Sequence, residues 1–276
     1  MRFSQVDVFS SEPLRGNPVA VVHAADGLTD EQMAAFARWT NLSETTFLLT
    51  PTDPAADYRL RIWTPGGELP FAGHPTLGSA HAWLEAGGVP AGAGIVQECG
   101  AGLVTIQRAA VEAGSRLAFA APPLVRSGPV DASDLADICQ ALRVPASAIV
   151  ESTWIDNGPG WVGVLLADAA AVLSLDPDWA AFGDLKIGVV GPYAEGPLAV
   201  EVRAFCPGYG MPEDPVTGSL NAGIGQWLAG GVLPTSYVAS QGTVLQRAGR
   251  VHVDLVGDTL WVGGETRTTV AGSVDL

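Results

Sequence analysis

Glu44, His74 and Asp214 have residue types and surroundings suited to moving protons. Glu44 stands in Asn41-Leu-Ser-Glu44-Thr-Thr-Phe-Leu-Leu49, between a helical pattern and an apolar strand pattern. A carboxylate at the lip of a buried strand loses part of its hydration, which pushes its pKa toward that of a general base. The plainer reading is a solvated acid at a strand end, because most carboxylates are exposed. His74 opens a helical stretch in Gly73-His74-Pro75. A neutral imidazole there can donate to a substrate or exchange protons with it. It can equally serve as a cap. Asp214, in Glu213-Asp214-Pro215, precedes a second helical stretch. It either stabilises that helix's dipole by about 0.3–1 kcal/mol or accepts from a substrate amine or hydroxyl. His81 lies mid-helix among alanines and reads as structural, and His23 and His252 have no suggestive neighbours.

Both helical stretches open on a glycine turn, Gly73-His74-Pro75 and Thr217-Gly218-Ser219. A helix N-terminus carries unpaired N–H groups and about half a positive charge. Two of them facing one cleft would bind a carboxylate without any lysine. For either turn alone, ordinary capping by Ser, Thr or Asp is the alternative. The paired reading gains weight because the turns lie in a duplicated segment, Arg61 to Val89 and Arg203 to Val232. Arg61 and Arg203, Pro65 and Pro207, and Pro70 and Pro212 are each 142 residues apart, and Trp83 and Trp227 are 144 apart. One shared period with small insertions points to a duplicated half rather than a solenoid.

The elements that must position these residues follow from periodicity. Strand patterns occur at Phe3–Phe9, Val19–Val22, Thr45–Leu49, Tyr58–Thr64, Ile95–Cys99, Gly102–Gln107 and Arg116–Ala120. They recur at Trp161–Ala167, Leu198–Phe205, Thr243–Leu245, Val251–Leu255 and Leu260–Val262. Helices are expected at Thr29–Thr40 and Asp131–Leu142. Two more, Pro75–Glu85 and Gly218–Ala229, have no wet face and so must be buried. The fold class predicted is α+β, with two pseudo-symmetric β-rich halves, each curled round a buried central helix. Residues 1–120 form the N-terminal half, 121–130 a proline-rich linker and 131–276 the C-terminal half, whose last strand is free to pack back on the N-terminal half. Gly158-Pro-Gly160-Trp-Val-Gly163 matches a dinucleotide-binding spacing but holds a proline and runs into a strand, whereas that motif needs a helix next.

Composition narrows the partners. The formal net charge is −15, and Lys186 is the only lysine. Nucleic acids and anionic membranes need clustered cations, so neither is an expected partner. No stretch approaches the roughly 18 apolar residues of a membrane span, and the N-terminal residues lack the apolar core of a signal peptide. Cys99, Cys139 and Cys206 are widely spaced and odd in number, which reads as reduced thiols in a cytoplasmic protein. There is no metal-ligand spacing, and no metal is expected.

Several segments together resemble the phenazine-biosynthesis PhzF-like family, which shares its fold with diaminopimelate epimerase. They are Gly16-Asn-Pro-Val-Ala-Val-Val, Leu42-Ser-Glu44-Thr-Thr-Phe, Leu69-Pro-Phe-Ala-Gly-His74-Pro-Thr-Leu-Gly, Glu213-Asp-Pro-Val-Thr-Gly-Ser219 and Gln241-Gly-Thr-Val-Leu-Gln-Arg-Ala-Gly-Arg-Val. They run nearly the length of the chain in family order. The resemblance implies a homodimer and a site between the halves. Glu44 is then the acid/base, and His74, Asp214 and Ser219 are polar site residues. Gly73 and Gly218 donate from the helix starts to a small anionic substrate. The family's named reaction isomerises trans-2,3-dihydro-3-hydroxyanthranilate by moving a proton between carbons, with no metal or organic cofactor. Epimerase relatives place a cysteine at each helix start; Ala72 and Thr217 stand there, which weighs against two-thiol racemisation. Glu68 replaces the aspartate common before Pro-Phe-Ala-Gly-His. Two rival functions share these residues: a lyase or dehydratase on a small hydroxy or amino acid, and a non-catalytic ligand-binding dimer.

Overall fold

The computed structural model describes residues 1–111, 114–209 and 211–276. The chain divides into two units, Met1–Ala120 with Gly263–Leu276, and Ala121–Val262. In chain order the first holds β1 (Arg2–Val8), β2 (Asn17–Val22), α1 (Asp30–Thr40), β3 (Thr45–Leu49), β4 (Tyr58–Thr64) and β5 (Gly67–Leu69). It continues with α2 (Gly73–Glu85), β6 (Ile95–Cys99), β7 (Gly102–Val111) and β8 (Gly114–Ala120). The second holds β9 (Arg126–Pro129), α3 (Ala132–Leu142), β10 (Ile149–Asp156), β11 (Trp161–Leu166), α4 (Ala169–Leu173) and β12 (Lys186–Pro192). After these come β13 (Val200–Phe205), β14 (Glu213–Asp214), α5 (Gly218–Leu228), β15 (Ser236–Gln241) and β16 (Gly249–Val256). β17 (Thr259–Ser273) begins in the second unit and ends in the first.

The two units repeat one pairing scheme. In the first, β1–β2 is antiparallel, β2–β3 parallel and β3–β4 antiparallel, with the short β5 folded onto β4 and β6 running parallel to β4. In the second, β10–β11 is antiparallel, β11–β12 parallel and β12–β13 antiparallel, with β14 folded onto β13 and β15 parallel to β13. In the first unit β17 pairs with both β1 and β8, closing the sheet round α2. The protein is α+β, with one buried helix in each β-rich half, as the duplicated segment predicts.

Small side chains let these helices lie close to their strands. A Cβ on Gly78 of α2 would sit 2.3 Å from Val19 Cγ1, and one on Gly223 of α5 would sit 2.6 Å from the carbonyl oxygen of Ile155. Neither distance leaves room for a methyl group. The outer helices are ordinary amphipathic ones. α1 starts on a capping box between Thr29 and Gln32 and buries Met33, Phe36 and Ala37 against Val22, Phe47 and Trp63.

Two segments differ from expectation. Thr243–Leu245 is one 3₁₀ turn rather than a strand, because Gly242 at φ +88° and Gln246 at φ +59° bend the chain on either side. Within residues 121–130, read as linker, Arg126–Pro129 pairs with β10. No helix among the described residues is long and apolar enough to cross a membrane.

Candidate active site

In the first unit the site is built from the end of α1, the start of α2 and β2. Asn41 ends α1 in the left-handed conformation, at φ +53°. The chain then reverses, so that Glu44 arrives immediately before β3. His74 is the second residue of α2 and is buried. Its Nε2 lies 3.5 Å from Glu44 Oε2, and the glutamate side chain is itself 15% exposed. The imidazole donates to the backbone carbonyl of Pro18 in β2, and desolvation by burial lowers its pKa from 6.5 to about 3. Nε2 makes no hydrogen bond, so Nδ1 is the donor to Pro18. The ring is therefore neutral at ordinary pH and turns a lone pair toward the Glu44 carboxylate. Such a pair accommodates one proton between its members.

The surrounding residues fix that geometry. Asp7 accepts from the N–H groups of Arg15 and Gly16, at 3.0 Å each, and shapes the turn before Asn17-Pro18. Ser79 of α2 donates to Thr46 Oγ1 at 2.8 Å, and Thr46 donates to the carbonyl of Ala20 at 3.1 Å, which ties α2 to β3 and β2. Arg61 on β4 holds Glu68 on β5 through two hydrogen bonds of 2.6 and 2.7 Å, anchoring the strap that leads to Gly73.

The second unit repeats the design with different chemistry. Arg203 on β13 grips Glu213 on β14 at 2.9 and 2.7 Å. Both side chains are buried, and this anchors the strap carrying Asp214. Asp214 accepts from Thr217 Oγ1 at 2.5 Å. Ser219, the second residue of α5 and the counterpart of His74, accepts on Oγ from Trp161 Nε1 at 3.0 Å. Its carbonyl accepts from Asn157 Nδ2 at 2.9 Å. Gly158–Gly160 is a loop leading into β11, and the first residue of that strand, Trp161, meets the start of α5, so the segment is no phosphate cradle.

The helix starts differ from the others in the molecule. α1, α3 and α4 are capped by the side chains of Thr29, Asp131 and Asp168. α2 begins after Ala72 and α5 after Thr217, neither with a side-chain cap and neither with an acidic residue in its first turn. Gly73 and Gly218 are both buried at these starts. An uncapped, buried helix start favours an anion.

Glu44, His74 and Gly73 thus come together in the first unit, and Asp214, Gly218 and Ser219 in the second. Sequence reading assigned no role to Thr217, Asn221, Asn157, Trp161 or Gln241. A signal for Gln241 was present: it stands 144 residues after Gln97, the same interval that separates Trp83 from Trp227.

Known proteins resemble this chain in sequence and fold. A family model described as "Phenazine biosynthesis-like protein" matches residues 6–274. Antisense-enhancing sequence 1 of Schizosaccharomyces pombe is 37% identical, over 98% of this chain and 97% of its own. The trans-2,3-dihydro-3-hydroxyanthranilate isomerase of Pseudomonas aeruginosa is 37% identical, over 79% of this chain and 76% of its own. The crystal structure of a PhzF-family phenazine biosynthesis protein of Bacillus anthracis has the same fold, with a TM-score of 0.85 over 100% of this chain and 99% of that one, at 23% identity.

Proposed function

Because the chain belongs to the phenazine biosynthesis-like family of isomerases, we propose that it isomerises a small cyclic carboxylate of the trans-2,3-dihydro-3-hydroxyanthranilate kind, with Glu44 as the proton carrier. The pairing of Glu44 with the buried His74, beside an uncapped helix start, carries this reading. The name of the Pseudomonas aeruginosa relative supports the substrate class.

The steps follow from the residues. Glu44 removes a proton from a carbon made acidic by conjugation and returns a proton to another carbon, so nothing is gained or lost overall. Positioned proton transfer of this kind supplies about 10²–10⁴-fold in rate. His74, with Nδ1 committed to Pro18, offers Nε2 as the acceptor that orients the protonated Glu44 carboxyl. The N–H groups at the start of α2 take the substrate carboxylate. Dry surroundings strengthen these contacts as charge develops.

Incubation with trans-2,3-dihydro-3-hydroxyanthranilate, followed by mass and ultraviolet spectra, tests the reading. The expected product has the substrate's mass and a shifted chromophore. Loss of the mass of water would replace the isomerase with a dehydratase on this substrate, and absence of both turnover and binding would remove the substrate class.

A further inference from the structure

Gln241, the last residue of β15, is fully buried and uses its whole hydrogen-bonding capacity at one place. Its Oε1 accepts from the Thr217 N–H at 3.0 Å and from Asn221 Nδ2 at 2.8 Å. Its Nε2 donates to the carbonyl of Asp214 at 3.1 Å and to Thr217 Oγ1 at 2.9 Å. These partners fix the amide's orientation, because a backbone N–H only donates and a carbonyl only accepts. They also fix the Thr217 hydroxyl. Its oxygen receives the Gln241 proton, so its own proton goes to Asp214 Oδ2. Asn221 completes the cluster by donating to the Thr217 carbonyl at 2.9 Å. The next residue, Gly242, is held at φ +88° with the place of a Cβ 2.5 Å from the Pro215 carbonyl oxygen, so the turn admits no side chain there. The first unit repeats the motif in simpler form. Gln97, in the matching strand β6, donates to Oγ1 of Thr76 at 3.0 Å, and Thr76 is the fourth residue of α2 as Asn221 is of α5.

We propose that Gln241 is a positioning residue: it turns the Thr217 hydroxyl onto Asp214 and locks that carboxylate against the opening of α5. Every bond in the relay points one way, from amide to hydroxyl to carboxylate, and each favours the ionised aspartate as a fixed acceptor. The consequence for turnover rests on the isomerase reading; the geometry does not.

The test reads Asp214 directly. In protein labelled with ¹³C at the aspartate carboxyls, the Asp214 signal, assigned by Asp214→Asn, is titrated against pH. The charged groups nearby are Glu213 on the same strand, paired to Arg203 of β13, and Arg247, which packs over Gly242. All three are kept in each variant. Thr217→Val removes the donated hydrogen bond and is expected to raise the Asp214 midpoint by about 1–2 pH units. Gln241→Met is expected to raise it in the same direction, with no further rise when added to Thr217→Val. Thr217→Ser is expected to restore the wild-type midpoint. A purely structural role would leave the midpoint in place wherever the fold persists, and that result would overturn the proposal. If Gln241→Met does not fold, Thr217→Val reads the same relay at its other link, and an unmoved midpoint there overturns it alone. A raised midpoint in protein inactive on every cyclic carboxylate would sustain the relay and remove the isomerase reading; turnover with an unmoved midpoint would do the reverse.

Discussion

At the scale of residues, the chemistry depends on how burial treats each ionisable group. His74 is kept neutral by desolvation, with the Pro18 carbonyl opposing that effect only in part. His23 shares the property away from the site. It meets Ser4 Oγ at 3.2 Å, and its pKa falls to about 4, through burial first and the charge of Arg2 second. Above pH 6.5 neither the native nor the unfolded state protonates such a histidine. Between 6.5 and about 4 the unfolded chain binds the proton and the native state does not. Stability is therefore full above 6.5 and declines as pH falls through this window. Each such histidine contributes a slope of about 1.4 kcal/mol per pH unit. Urea unfolding of wild type and His23→Gln at pH 7 and pH 5 checks this: the variant's stability should fall less steeply by about one proton's worth. Equal slopes would show that His23 titrates normally in the native state.

At the scale of elements, the two central helices are set by what they lack. α5 approaches β10 so closely that Gly223 faces the Ile155 carbonyl, a backbone atom that cannot swing away. Gly223→Ala gains about 1 kcal/mol of helix propensity, yet forcing a methyl into that contact costs about 1–3 kcal/mol. A net loss of stability in urea unfolding is expected, and a gain would mean that the helix does not pack this tightly. These helices were legible from sequence because they are small or apolar on every side. Their strand partners were harder to read. β10 presents polar residues, Glu151, Ser152 and Thr153, so it shows no apolar run. β12 contains Gly188 and Gly191, which mimic a turn. Their true reason is contact: a Cβ at Gly188 would lie 2.0 Å from Leu220 Cδ1, and one at Gly191 2.3 Å from the Asp168 carbonyl oxygen.

At the scale of the whole molecule, duplication has produced two units with one pairing scheme and divergent chemistry. His74 and Ser219 hold the same position on their helices, as do Thr76 and Asn221. Residue types and the duplicated turns made Glu44, His74, Gly73, Asp214 and Gly218 candidates beforehand, and the family resemblance added Ser219. Spacing could not reveal Thr217, Asn221 and Gln241 as one cluster, because their meeting depends on the parallel pairing of β13 with β15 across an intervening helix. The molecule's formal charge of −15 with one lysine leaves anion binding to the backbone and the arginines. Glu44 remains the one group on which the proposed reaction turns. The most direct test is therefore Glu44→Gln, which keeps the side chain's shape but cannot take up the proton, assayed on trans-2,3-dihydro-3-hydroxyanthranilate with 3-hydroxyanthranilate binding followed by calorimetry. The expected result is turnover lowered by about 10²-fold or more with binding retained; near wild-type turnover in the variant would contradict the account and pass the base's role to His74 or Asp214.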